Sequence, residues 1–206
     1  MTAEAAASLA YFPGSPFARM ARVLIREWRL GVSETELPFP PPAELFDLNP
    51  LGQVPVLVIR RERVFPTLMV LERHWTMAGA PAAAYGPEAE RQTLLTVPQA
   101  GDALTAAFYQ RWAGLGPVGA NHVGYDPATR NLLRVAAVLD WLAAEHCRLR
   151  GGVTLTGIAL ACLVLWADAR DGLDWQRHAR LKHVVDGLAT RESFARTQPQ
   201  PWSVPQ

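Results

Sequence analysis

Cysteine is nearly absent: Cys147 and Cys162 are the only two among 206 residues, and they stand far apart. Without a C-x-x-C pair, the chain encodes neither a redox dithiol nor a zinc knuckle. One disulfide is open to the pair, but two unpaired, buried thiols in a reducing cytosol is the simpler reading. An excess of charge is missing too, with 20 Lys and Arg against 19 Asp and Glu and a net charge of +1. That balance leaves no electrostatic footprint for nucleic acid or an anionic membrane, so neither is expected as a partner. The longest apolar run, "IALACLVLWA" at 158–167, is too short to span a bilayer. The opening "MTAEAAASLAYF" has no basic stretch and no long apolar core, which argues against a signal peptide and for a cytoplasmic protein. The histidines (His74, His122, His146, His178 and His183) lack ligand spacing, and no metal site is expected.

What is present is a chain that is 50% hydrophobic and 19% charged, the composition of a globular protein with a real core. Its two parts differ in texture. "SLAYF" (8–12) reads as a strand ended by Pro13-Gly14. Phe17, Met20, Ala21, Leu24 and Trp28 then recur at helical spacing, with Gly31 as the expected stop. "ETELPF" (34–39) is a second strand, broken by Pro40-Pro41-Pro42, and "VPVLVI" (54–59) is a buried one. "RVF" (63–65) is a short further strand and "TLMVLERHWTM" (67–77) a helix. Beyond a small-residue linker the strand signal vanishes, and residues 88–113, 127–149, 154–170 and 174–189 read as helices, with a loop over 114–127 and an extended tail. The predicted organisation is an α/β domain over 1–79, a linker over 80–87 and an all-α domain over 88–206.

Three stretches could carry chemistry, and each also has a plain structural reading. Ser15 precedes Pro16, and serine is a strong N-cap while proline suits the first helical position. In "NPLGQVPVLV" (49–58), Pro55 interrupts a buried-strand run, which a cis Val54-Pro55 bond at the strand's start would accommodate. In "RVFPTLMVLERHW" (63–75), Thr67 reads as the N-cap of an amphipathic helix.

Taken together and in this order, these stretches resemble the cytosolic glutathione S-transferase family, in its serine-type, bacterial-like form. "SPFARMARVLI" is similar to that family's active-site start and "NPLGQVPVL" to its Asn-Pro-x-Gly-x-Val-Pro-x-Leu segment. "VTLTGIALACLVLWADAR" resembles its core helix, and "TRESFARTQP" its Arg-Pro-Ser-Phe ending. The resemblance implies a thioredoxin-like N-terminal domain, a cis Pro55, a helical C-terminal domain and a homodimer. It implies glutathione as co-substrate, with Ser15 as the catalytic donor to its sulfur and a small hydrophobic electrophile as the second substrate. Phe17, Gln53, Val54, Pro55, Pro66 and Thr67 would then surround the tripeptide, Val54 through its backbone. A free thiol has a pKa of about 8.5, and a hydroxyl donor at a helix N-terminus favours its anion; a fall of about two units makes most of it reactive. Cap and thiol donor are here two uses competing for one hydroxyl.

The chain departs from the family pattern at two places. Pro66-Thr67 stands where the family has an acid or Gln followed by Ser, so the γ-glutamyl amine loses an acceptor worth about 10- to 100-fold in affinity. Asp102 of a neighbouring subunit is the expected substitute. In Thr154-Leu155-Thr156-Gly157, Gly157 replaces the acid of a capping box, an expected cost of about 1 kcal/mol. Phe108, Tyr109 and Trp112 are the expected lining of an electrophile pocket between the domains. The alternative reading is a non-catalytic dimeric binding module that has lost strong glutathione binding. Reduction of the glutaredoxin kind is disfavoured, because Ser15 stands where it needs a cysteine.

Overall fold

The computed structural model describes residues 7–81, 88–114, 126–144, 149–170 and 172–199. Most of the expected linker, the body of the 114–127 loop, Cys147, His122, His146 and the end of the tail lie outside them. The N-terminal part runs β1 (Ala7–Tyr11), α1 (Pro16–Glu27), β2 (Val32–Glu36), α2 (Leu45–Leu48), β3 (Val56–Ile59), β4 (Glu62–Val64) and α3 (Thr67–Met77). The strands form one sheet in the order β2-β1-β3-β4. Strand β1 pairs parallel with β2 from Ala7↔Val32 to Tyr11↔Glu36, and antiparallel with β3 from Ala7↔Ile59 to Ala10↔Val56. This is the thioredoxin-like arrangement. The remainder is helical: α4 (Glu88–Trp112), α5 (Pro127–Ala144), α6 (Leu155–Asp168), α7 (Ala179–Ala189) and α8 (Glu192–Ala195).

Helix α1 is apolar on several sides because it is wedged between the sheet domain and α6. Met20, Ala21, Val23 and Leu24 are all fully buried. Its partner α6 buries twelve of its fourteen residues, so it lacks a polar face and forms the centre of the helical part. Arg19 is buried at this junction without a carboxylate partner among the described residues. Its Nη2 donates to the Phe194 carbonyl at 3.3 Å, and its guanidinium lies 5.2 Å from the Phe194 ring centroid, tying α1 to α8. At the far end of α1, Arg191 grips Glu27 with two bonds of 2.7 Å and Ser193 adds a third. Burial works against the Glu27 carboxylate, but these bonds outweigh it and hold its pKa below the ordinary 4.5.

Several boundaries differ from the sequence reading for identifiable reasons. Helix α1 stops at Glu27 rather than near Gly31, because Arg29 takes the left-handed position (φ 51°) of a Schellman ending. There Leu30 N–H donates to Ile25 O at 2.9 Å and Arg29 N–H to Arg26 O at 3.3 Å. Pro66, not Thr67, occupies the N-cap of α3, and Thr67 is the first helical residue. Helix α7 begins at Ala179, five residues later than expected, after a turn in which buried Trp175 donates to Asp168 at 3.0 Å. Helix α5 is described as Pro127–Ala144, and its expected continuation over 145–148 lies outside the described residues. Gly157 is not a simple defect: its N–H donates to the Thr154 cap at 3.0 Å, and a Cβ there would lie 2.9 Å from Thr154 Oγ1 and 3.4 Å from Leu188 Cδ1. The glycine leaves room for the Thr154 hydroxyl that caps α6. The four-residue helices α2 and α8 were not foreseen.

Two stability predictions follow from these features. Arg29→Gly removes a side chain from a left-handed position and should raise unfolding free energy by about 0.5–1 kcal/mol in urea titrations. His74 is fully buried, both ring nitrogens lack a partner among the described residues, and burial lowers its pKa to about 4. The unfolded chain takes up that proton near 6.5, so stability should fall by about 3 kcal/mol between pH 6.5 and 4. Midpoints measured across that range should show the slope in the native protein and lose it in His74→Met, whereas the Glu27 contribution is lost only below pH 4.5.

Candidate active site

An open cleft of about 750 Å³ separates the loop ends of the sheet domain from α4, within the about 300–1,000 Å³ usual for small-molecule sites. Its floor is the β1–α1 turn, Phe12 to Phe17. One wall comes from the proline-rich segment after β2, with Leu37, Pro38, Phe39 and Pro41, and from Gly52-Gln53-Val54 before β3. The opposite wall is a stripe of α4, Asp102, Thr105, Tyr109 and Trp112, whose spacing of three or four residues puts them on one helix face. Thr67 closes the cleft at the start of α3.

Ser15 caps α1. Its backbone is extended (φ −82°, ψ 120°), and its Oγ accepts from Ala18 N–H at 3.1 Å. Capping uses an oxygen lone pair and leaves the hydroxyl proton free, so the two uses of Ser15 do not compete as the sequence reading supposed. The same oxygen can accept from the backbone and donate into the cleft, at the positive end of a twelve-residue helix.

The Val54-Pro55 bond is cis, and Val54 lies in the cleft wall just before β3. Asn49 shapes that loop: its Nδ2 donates to Gln53 O at 2.8 Å and its Oδ1 accepts from Leu51 N–H at 3.0 Å. Gly52 adopts φ 61°, and a Cβ there would come within 2.7 Å of the Phe46 ring, so the wall needs glycine at this point.

The expected site residues divide. Ser15, Phe17, Gln53, Val54, Thr67, Asp102, Tyr109 and Trp112 line one cleft. Phe108 does not: it packs edge-on to Trp166 at 5.2 Å and to Tyr109 at 5.5 Å, on the inner side of α4. Pro66 is exposed and Pro55 buried, and neither is in the lining. Asp102 reaches the cleft within the one chain, so a second subunit is not needed to bring a carboxylate there. Desolvation by the cleft walls raises the Asp102 pKa. Burial likewise raises that of the Tyr109 phenol, with Arg170 acting in the opposite sense. The sequence reading missed Phe12, Phe39, Thr105 and Glu36 as lining residues. Glu36 accepts from the Tyr11 hydroxyl at 3.0 Å. Among the described residues, no His, Cys, Asp and Glu cluster could hold a metal ion, and no helix is long and apolar enough to cross a membrane. Cys162 is fully buried and free, and burial pushes its thiol up to about 12.

Comparison with known proteins agrees with this geometry. Residues 14–71 match the family description of the glutathione S-transferase N-terminal domain. A glutathione S-transferase from Methylobacillus flagellatus KT, solved with glutathione bound, is 24% identical with a TM-score of 0.79, covering 94% of this chain and all of that one. A glutathione S-transferase from Methylobacterium radiotolerans JCM 2831, in complex with glutathione sulfonate, is 22% identical with a TM-score of 0.78 over 97% and 98% of the two chains. FzlA from C. crescentus is 19% identical with a TM-score of 0.73 over 96% and 93%. No curated protein matches. A thioredoxin-like sheet followed by helices, in this order and shape, is the glutathione S-transferase fold.

The cap makes a separable prediction. Ser15→Ala should cost about 1 kcal/mol of stability, while Ser15→Asn should cost only a few tenths because it can still accept from Ala18 N–H. Chemical denaturation of the two variants checks this.

Proposed function

We propose that the chain is a glutathione S-transferase-like enzyme that uses the glutathione thiolate on a small hydrophobic electrophile. The observation that carries this reading is Ser15, whose oxygen caps α1 and whose hydroxyl proton is left for an anion in a cleft walled by aromatic rings. Glutathione, when bound, supplies the nucleophilic sulfur. The Ser15 hydroxyl donates to it, and the N-terminus of α1 adds to the bias toward the deprotonated form. A reduction of about two units from the ordinary thiol pKa makes the anion predominant at neutral pH.

The other residues suit the rest of the tripeptide. For the cysteinyl part, Val54 and Gln53 offer backbone groups beside the cis bond that Pro55 forms, with Phe17 shaping the approach. Thr67 has a hydroxyl without a partner among the described residues, at the start of α3, suited to the γ-glutamyl carboxylate. Pro66 contributes no acceptor, so Asp102 takes the amine; ion pairing there offsets the burial that raises its pKa. Tyr109 and Trp112, with Phe12 and Phe39 opposite, form the apolar side for the electrophile. The sulfur attacks an electrophilic carbon, the leaving group departs with the bond's electrons, and the thiol proton passes to water. We further propose a cytoplasmic homodimer, which the exposed Met69 on α3 and Leu95 on neighbouring α4 support.

Calorimetric titration with glutathione should show saturable binding below millimolar, and no heat at millimolar ligand would end the reading. With an activated aryl halide, Ser15→Ala should lower kcat/KM by about 100-fold, and Asp102→Asn should raise the glutathione KM by about tenfold with little change in kcat.

A further inference from the structure

The Gly14 carbonyl belongs to the peptide bond that leads into Ser15, and it is held from the other domain. From α6, Trp166 Nε1–H donates to it at 2.8 Å; just beyond the helix, Arg170 Nη2 donates at 3.4 Å. On the Ser15 side, the backbone N–H donates to Phe12 O at 3.1 Å. Both ends of the peptide that sets the direction of Ser15 are therefore fixed. Trp166 is 2% exposed, so neither water nor a ligand competes for its donor.

Arg170 is unusual in a second respect. No carboxylate among the described residues pairs with it, and its Nε is buried without a partner. The guanidinium lies 4.0 Å from the Trp166 ring centroid and 5.4 Å from that of Phe108, and it stays protonated because an arginine does not titrate near neutrality. The cleft in front of it has Glu36 and Asp102 in its described lining and no lysine or arginine. An anion at Ser15 thus faces two wall carboxylates, opposed by the α1 dipole and by this cation behind the turn.

We propose that Trp166 and Arg170 are positioning residues for Ser15, and that Arg170 also supplies the fixed positive charge that favours an anion there. In general, a unit charge about 10 Å from a thiol, at an effective dielectric of about 20, changes the ionised fraction on the order of tenfold. The ligand's identity as a thiol rests on the proposed function; the charge effect at position 15 does not.

The test separates the two. In the full-length protein, Ser15→Cys introduces a thiol whose pKa is read from the pH dependence of iodoacetamide alkylation, without glutathione. Adding Arg170→Gln keeps a donor for Gly14 and removes the charge. It should raise that pKa by about one unit, a tenfold loss of thiolate near pH 6.5, while Arg170→Lys restores most of it. Arg170→Met gives the same readout should the glutamine variant fold poorly, with circular dichroism as the check. In the second arm, the native Ser15 protein carrying Arg170→Gln should show the acid limb of its kcat/KM profile with glutathione displaced upward by the same unit. Trp166→Phe should lower kcat about tenfold with the pKa unmoved. An introduced-thiol pKa unchanged in both Arg170→Gln and Arg170→Met overturns the proposal. If the pKa moves but the native protein binds no glutathione, the charge assignment stands and the transferase reading falls.

Discussion

The peptide between Gly14 and Ser15 joins the two halves of the molecule, and the rest of the site depends on how it is held. Its carbonyl is fixed by Trp166 and Arg170 from the helical part, and its N–H by Phe12 within the turn. Once that plane is fixed, Ser15 meets the open end of α1 in extended geometry and caps it with an oxygen lone pair, which leaves its hydroxyl proton free to turn into the cleft. A serine at a helix start is ordinary. One whose preceding carbonyl is clamped across the domain junction is oriented as well as capped, which a thiol-activating group requires.

The same junction explains several costly features elsewhere. A largely buried α6 places Trp166 behind the turn, and Gly157 leaves room for the Thr154 cap at its start. Arg19 is buried without an acid beside it among the described residues, a penalty offset by hydrogen bonding to the Phe194 carbonyl and stacking on its ring. The Glu27–Arg191–Ser193 cluster ties the opposite end of α1 to the same C-terminal segment. Helix α1 is therefore held along its whole length, with its N-terminus facing the cleft.

Much of this was legible in the sequence, and the omissions have physical causes. The β-branched run at 56–59 and the helical periodicity of 67–77 identified β3 and α3, because burial on a sheet or one helix face imposes those patterns. Helix α1's end was misplaced because Arg29 occupies a backbone conformation for which glycine is the usual signal. Four-residue helices such as α2 and α8 are too short to show a period. Phe108 and Tyr109 are adjacent on α4 and face about 100° apart, Phe108 toward Trp166 and Tyr109 toward the cleft; sequence spacing does not say which side is inward. Trp166 and Arg170 form an i,i+4 pair visible in the sequence, but their shared partner, Gly14, lies more than 150 residues away. Pro66 is visible in the sequence as a side chain without an acceptor, whereas the position of Asp102 in the cleft required the fold.

The central claim is that an anion is received at the mouth of α1 by the hydroxyl of Ser15. A crystal structure of the protein with glutathione tests it most directly. The account predicts the sulfur within about 3.5 Å of Ser15 Oγ, with the Ala18 cap still in place. A tripeptide bound elsewhere, or a sulfur pointing away with only the cap satisfied, would contradict it.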